Sequence, residues 1–262
     1  MFFFKKKIDP ITLVTKTDIG KEININEDTV DSLVINPQSL KTELNYSILV
    51  VADGMGGHEK GEVASEIASK KFIETIKENI RHSSQETKNI NFEEILAKAV
   101  EVANSEVWKM SQQNPGQIGT TLVGAIIVDS EIFIANVGDS RAYLVTPKKS
   151  IHQITKDHSA VQEMFDAKMI TKEQMRNHPR KNIITKALGL EENVAPDIFH
   201  EDLKKDNVLL LCSDGLYGMI DDEEIISTMN GNIYKSADAL ITLANKHGGI
   251  DNISVAMAKY SA

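Results

Sequence analysis

The chain has a single cysteine among its 262 residues. Cys212 therefore cannot close an internal disulfide, and its place inside the apolar run VLLLC fits a reducing compartment, so a cytoplasmic protein is expected. Positive charge is also in short supply: 29 lysines and arginines face 38 aspartates and glutamates, for a net charge of −9. Phosphate backbones are held by basic surface, which speaks against a dedicated nucleic-acid binder. No stretch reaches the roughly 18 apolar residues needed to span a bilayer. The N-terminal MFFFKKK places its basic cluster after a short apolar stretch, the wrong order for a secretory signal. One short anchor holds a membrane only marginally, so no stable insertion is expected and the tail reads as a frayed end or the start of an edge strand. Repeats and low-complexity tracts are missing as well. What remains, 41% apolar and 26% charged, is globular composition with no seam, which predicts one domain over residues 1–262 and a monomer.

Acidic residues, by contrast, stand at informative places. Asp53 follows YSILVVA and opens DGMGGH, Asp139 follows EIFIANVG, Asp214 follows VLLLCS, and Asp251 lies in GGIDN just before ISVAMAK. Strand ends would thus deliver four carboxylates. If they converge, two unit charges about 4 Å apart repel by roughly 4 kcal/mol at an effective dielectric near 20, so divalent cations or bound protons are required. Hard oxygen donors without a histidine and cysteine set favour Mg2+ or Mn2+ over zinc. A two-metal hydrolase is the natural reading. The glycines after Asp53 let the backbone come close, so the Gly54 carbonyl is a further candidate ligand.

Short β-type runs are predicted at 46–52, 122–129, 131–137, 141–146, 208–212 and 253–260, the second to fourth forming a meander. Helical apolar stripes run over 62–80 and 92–110, and a third helix is predicted over 236–247. Grouped antiparallel strands with helices in consecutive pairs indicate a layered α+β fold. Residues 157–189, charged and methionine-bearing, read as a helical excursion over one end of the sheets, a candidate lid.

The motifs NED at 26–28, VVADGMGGHEKGEVAS at 50–65, GTTL at 119–122, NVGDSRAYL at 136–144, TKDHS at 155–159, ITKEQMRNHPRKNIITKALG at 170–189, LLCSDGL at 210–216 and GGIDNISV at 248–255 occur in this order. Together they resemble the metal-dependent serine/threonine protein phosphatases of the type 2C or PPM family, bacterial branch. That resemblance implies a four-layer αββα sandwich of two antiparallel sheets flanked by helix pairs. It also implies hydrolysis of phosphoserine and phosphothreonine in proteins by a hydroxide bridging two Mn2+ or Mg2+ ions, without a covalent intermediate. Asp53 would bridge the ions, Asp214 and Asp251 would complete the first, and the Gly54 carbonyl with Glu27 would serve the second. Asp139 would pair with Asp214 around a third, weaker ion, loosened by Gly218 where some members carry another acid. Asp28 and Asn252 would stand behind these ligands or near substrate. Phosphorylated proteins made by a serine/threonine kinase would be the partners.

Two departures matter. Other branches of the family carry a histidine after Asp-Gly as general acid; Met55 cannot donate a proton, which leaves His58 as a candidate. The family arginine that grips the substrate phosphate corresponds to Ile23, and Lys21, on the same face if this stretch is a strand, is the candidate replacement. The missing arginine leaves a pseudophosphatase, binding phosphoproteins without turnover, as the alternative reading.

Overall fold

The computed structural model describes residues 11–35, 45–56, 60–85, 90–114 and 116–261. The MFFFKKK tail and His58 lie outside the described residues. Among the described residues eleven strands build two antiparallel sheets. One has the order β1-β11-β10-β7-β8: β1 (Ile11–Asp18), β11 (Ile253–Tyr260), β10 (Val208–Cys212), β7 (Arg141–Val145) and β8 (Ile151–Gln153). The other has the order β2-β3-β5-β6-β9: β2 (Asp28–Ile35), β3 (Tyr46–Met55), β5 (Leu122–Val128), β6 (Glu131–Val137) and β9 (Asp197–Asp202), with the short β4 (Gly119–Thr120) beside the end of β3.

Side-chain alternation along β3 shows why the strands stack in layers. Leu49 and Val51 point into the space between the sheets, where they meet Val123, Ile127, Ile134, Leu209, Leu211 and Ala256. Ile48 and Val50 point the other way, onto α1 (Gly61–Gln85) and α2 (Phe92–Gln112). Both faces are covered, so β3 reads as an unbroken apolar run. On α1, Ala64, Ala68, Phe72, Ile76 and Ile80 recur every four residues and are wholly buried, and α2 starts where the Asn91 side chain accepts from the Glu94 N–H. On the outer face of the five-stranded sheet, Leu210, Cys212, Val255 and Met257 pack against α7 (Ile233–Lys246) and the residues around α5 (Asp214–Tyr217) and α6 (Asp222–Thr228). The four layers are helices, sheet, sheet and helices, the architecture expected from the motifs.

Gly124 on β5 is where α1 comes down onto its sheet. A Cβ built there would stand 2.3 Å from Phe72 Cε1, inside the ring's contact distance. Gly124→Ala should therefore cost about 1–3 kcal/mol by overpacking, read as a lower urea midpoint at unchanged slope.

One sequence expectation fails in this frame. Residues 19–27 form no strand: β1 ends at Asp18 and β2 begins at Asp28. Lys21 and Ile23 are thus loop residues, and strand alternation does not put their side chains on a common face.

The 157–189 excursion carries two short helices, α3 (Ala160–Asp166), capped by Ser159, and α4 (Lys172–Arg176), closed by a Thr171–Gln174 capping box. Its two ends are joined to each other by the Ser159–Ile184 bridge, and the Thr120–Leu188 bridge ties it to the body. His158 Nδ1 also accepts from the Gly138 N–H at 2.9 Å.

Candidate active site

The site grows from the end of β3. Asp53 faces Asp28 across the β2–β3 ladder, which sets two acids side by side on adjacent strands. The Asp53 backbone is pinned from the other side: its N–H donates to Thr121 Oγ1 at 3.0 Å, and its carbonyl accepts from the Thr121 N–H at 2.8 Å. Gly54 then lets three backbone stretches meet. Its N–H donates to the Glu27 carbonyl at 3.1 Å, and a Cβ at Gly54 would lie 2.2 Å from the Gly61 carbonyl oxygen. Only glycine permits that approach. The Glu27 carboxylate in turn reaches the Gly61 N–H at the start of α1.

Asp214 arrives from the neighbouring sheet as the first residue of α5, directly after β10. Asp251 comes from the loop before β11, and Asn252 fixes that loop. The Asn252 amide donates to the carbonyls of Ile19 and Ile25, and its Oδ1 accepts from the Glu27 N–H at 2.8 Å. Its own N–H donates to the Asp251 carboxylate at 2.8 Å. Asn252 thus ties the 19–27 loop to two candidate ligands at once. Asp28 is held from behind by the Ser213 hydroxyl at 2.7 Å.

These acids sense one another. Desolvation first, then Asp28, Asp214, Asp139 and Asp251, holds the Asp53 carboxyl well above the usual carboxylate range. Desolvation, reinforced by Asp214 and Asp251 and opposed by serine hydroxyls, pushes Asp28 up to about 8. Asp139 is likewise pushed up to about 8, by desolvation and then by Asp214 and Asp157. Asp214 rises to about 6, through desolvation and then Asp251. Asp251 is raised by desolvation, and Glu27 by desolvation with Asp251 and Glu62 adding to it. Folding therefore brings Glu27, Asp28, Asp53, Asp139, Asp214 and Asp251 into one electrostatic neighbourhood.

Their chemistry fits divalent cations. Asp139 Oδ1 and Asp214 Oδ1 are buried without a hydrogen-bond partner, a costly state that a cation relieves. Among the described residues no three acid, histidine or cysteine side chains already form a tight cage. That suits Mg2+ or Mn2+, which are commonly held by one or two carboxylates and keep several waters, better than a closed all-protein site.

Next to the acids opens a cavity of about 440 Å³ between the 157–189 excursion and the segment that follows Asp214. Sequence reasoning missed this cavity and the network behind it. Arg141 grips Asp157 with two nitrogens, Nε at 2.9 Å and Nη2 at 2.7 Å, donates to the Tyr143 hydroxyl, and lies 3.6 Å over the Tyr217 ring. Tyr217 donates to the Asp139 carbonyl at 2.9 Å. The GDSR and TKDHS motifs carried the partners, but nothing in their spacing announced the pairing. Lys21 is exposed and its N–H donates to the Gly249 carbonyl; the cations that do line the cavity are Arg141 and, on the excursion, Lys172, Arg176 and Lys181.

Layered sheets between helices, with carboxylates gathered where two sheets end together, define a metal-dependent protein phosphatase. The sequence profile of "Protein phosphatase 2C" matches residues 31–244, most of the chain. The chain belongs to that family. It is 39% identical over 248 residues to the serine/threonine phosphatase stp of Listeria monocytogenes, covering 93% of this chain and 94% of the relative. Its fold is similar to the crystal structure of the serine/threonine phosphatase Stp1 from Staphylococcus aureus, with a TM-score of 0.82, 34% identity and 96% of each chain covered. It is also similar, at a TM-score of 0.77 and 29% identity over 96% of this chain and 99% of the other, to the catalytic domain of the phosphatase PstP in complex with two manganese ions.

Proposed function

We propose that this protein hydrolyses phosphoserine and phosphothreonine on proteins with Mn2+ or Mg2+ held by Asp53, Asp214, Asp251, Glu27 and the Gly54 carbonyl, and that Asp139 shares a third ion with Asp214. The observation that carries the reading is the electrostatic convergence of six acids, two of them with orphaned buried oxygens and three of them, Asp139, Asp214 and Asp251, lining an open cavity. Divalent cations in such a site acidify water and neutralise phosphoryl oxygens. The chain's own residues supply the frame. Asn252 and Ser213 keep Asp251 and Asp28 in place, and the Thr120 and Thr121 hydroxyls with the Thr121 N–H hold the end of β3 so that Asp53 cannot drift. Lys181 places a positive charge on the cavity wall, which draws in a phosphate dianion and offsets the acids. Arg141 is unavailable for that purpose, since Asp157 already occupies its fork.

Residues 157–189 act as a lid over this cavity, in a single phosphatase domain. The substrates are phosphoproteins made by a serine/threonine kinase in the cytoplasm. Among the described residues no helix is long and apolar enough to cross a membrane. Every carboxylate that the resemblance calls for is present in the sequence, which supports turnover over a binding-only role. Phosphate release from a phosphothreonine peptide in manganese buffer, abolished by chelator, tests the reading; binding of the peptide with no release would establish the pseudophosphatase instead.

Ile23 leaves the substrate phosphate without the family's forked donor. Ile23→Arg should lower the KM for a phosphate ester about tenfold, the worth of one charge-assisted hydrogen bond of about 1.5–3 kcal/mol. An unchanged KM in steady-state kinetics would show that position 23 does not face the phosphate.

A further inference from the structure

The cavity beside the acids has walls that the chemistry of phosphate hydrolysis does not require. Val161 and Phe165 of α3 and Met175 of α4 line one side; Met219, Ile220 and Ile250 line the other. Phe165 is 38% exposed and Ile250 52% exposed, although both are large and apolar. Large apolar side chains left in contact with water around one cavity mark a place where an apolar partner is taken up. Ile250 immediately precedes Asp251, so this apolar floor is continuous with the reacting end of the cavity. Charges of opposite sign stand on the two walls: Lys172 and Lys181 on the excursion, Asp221 and Glu223 across from them. A peptide backbone with mixed neighbours suits such walls.

We propose that this cavity is a side-chain subsite that takes one bulky apolar residue of the phosphoprotein, aromatic or branched aliphatic, within three residues of the phosphorylated one. The inference rests on the phosphatase reading above and adds a substrate preference to it. An extended chain advances about 3.3 Å per residue, so a residue two places from the phosphothreonine stands about 7 Å along from it, within a cavity of this size. A volume of about 440 Å³ lies toward the small end of ligand pockets, which admits one large side chain with its backbone and not a folded surface.

The test uses alanine-based phosphothreonine peptides carrying phenylalanine at each position from three before to three after the phosphoresidue, assayed for phosphate release in manganese buffer. At one position or more, kcat/KM should exceed that of the all-alanine peptide about tenfold. Phe165→Ser and Ile250→Ser, both at partly exposed positions and checked by thermal melting, should bring the ratio between the two peptides toward one. A loss of active protein lowers both peptides together and leaves the ratio intact. A flat profile in the native protein, or a preference that survives both substitutions, would overturn the subsite while leaving the phosphatase standing. No phosphate release from any peptide would overturn the phosphatase reading and the subsite with it.

Discussion

Asp214→Asn should lower kcat/KM for a phosphothreonine peptide in manganese buffer by about 10²–10³, the cost of removing one preorganised electrostatic group from a catalytic site. It should also raise the melting temperature of the metal-free protein. Asp214 is one of the charges that hold Asp53, Asp28 and Asp139 above their ordinary range, so neutralising it relieves repulsion that the fold otherwise carries. Its Oδ1 is already buried without a partner, so no hydrogen bond through that oxygen is lost. Opposite movements of activity and stability separate a lost ligand from a damaged fold. A variant that is both inactive and less stable would mean that Asp214 serves the core instead.

The metal-free protein should lose stability as pH rises between about 6 and 8, and saturating manganese should remove most of that dependence. Unfolded aspartates release their proton near 3.9. In the folded chain Asp214 holds its proton up to about 6, and Asp28 and Asp139 up to about 8. Across this window the native state binds protons that the unfolded state has released, so stability is present at low pH and is lost as pH climbs through the folded values. One retained proton corresponds to about 1.4 kcal/mol per pH unit, or a fall in Tm of about 3–5 °C per unit for a chain of this size. Cations compete with those protons for the same oxygens and carry the charge balance once bound. Thermal melts in chelator and in manganese, from pH 6 to 8, read both slopes. A flat curve in chelator would show that the acids do not crowd one another.

What the sequence disclosed divides along a physical line. The six strands predicted from apolar runs are β3, β5, β6, β7, β10 and β11, and these are the strands with a neighbour on each side. The unpredicted β1, β2, β8 and β9 are the edge strands of the two sheets. Edge strands such as DTVDSLVI and DIFHED carry polar residues toward water, so their pattern does not stand out from a loop. The acids were legible for a related reason. Asp53, Asp139, Asp214 and Asp251 each stand at the end of an interior strand or just before or after one, and interior strands of two stacked sheets end near one another, whereas Glu27 and Asp28 adjoin the edge strand β2. Lys21 could be placed beside Ile23 only on the condition that the 19–27 stretch is a strand, whereas Asn252 and Gly249 hold it as a loop through backbone groups that no side-chain pattern reports. The Arg141–Asp157–Tyr217 assembly escaped for the same reason: it joins three elements through partners far apart in sequence. α5 and α6, the far wall of the cavity, span only four and seven residues, too short for helical periodicity to register.

Calorimetric titration of the metal-free protein with manganese tests the central claim most directly. Acids gathered into one site should take up at least two ions per chain, and Asp53→Asn should abolish the tightest of these binding events, because that carboxylate stands among all the others. No binding, or uptake that Asp53→Asn leaves unchanged, would contradict a metal centre at the end of β3.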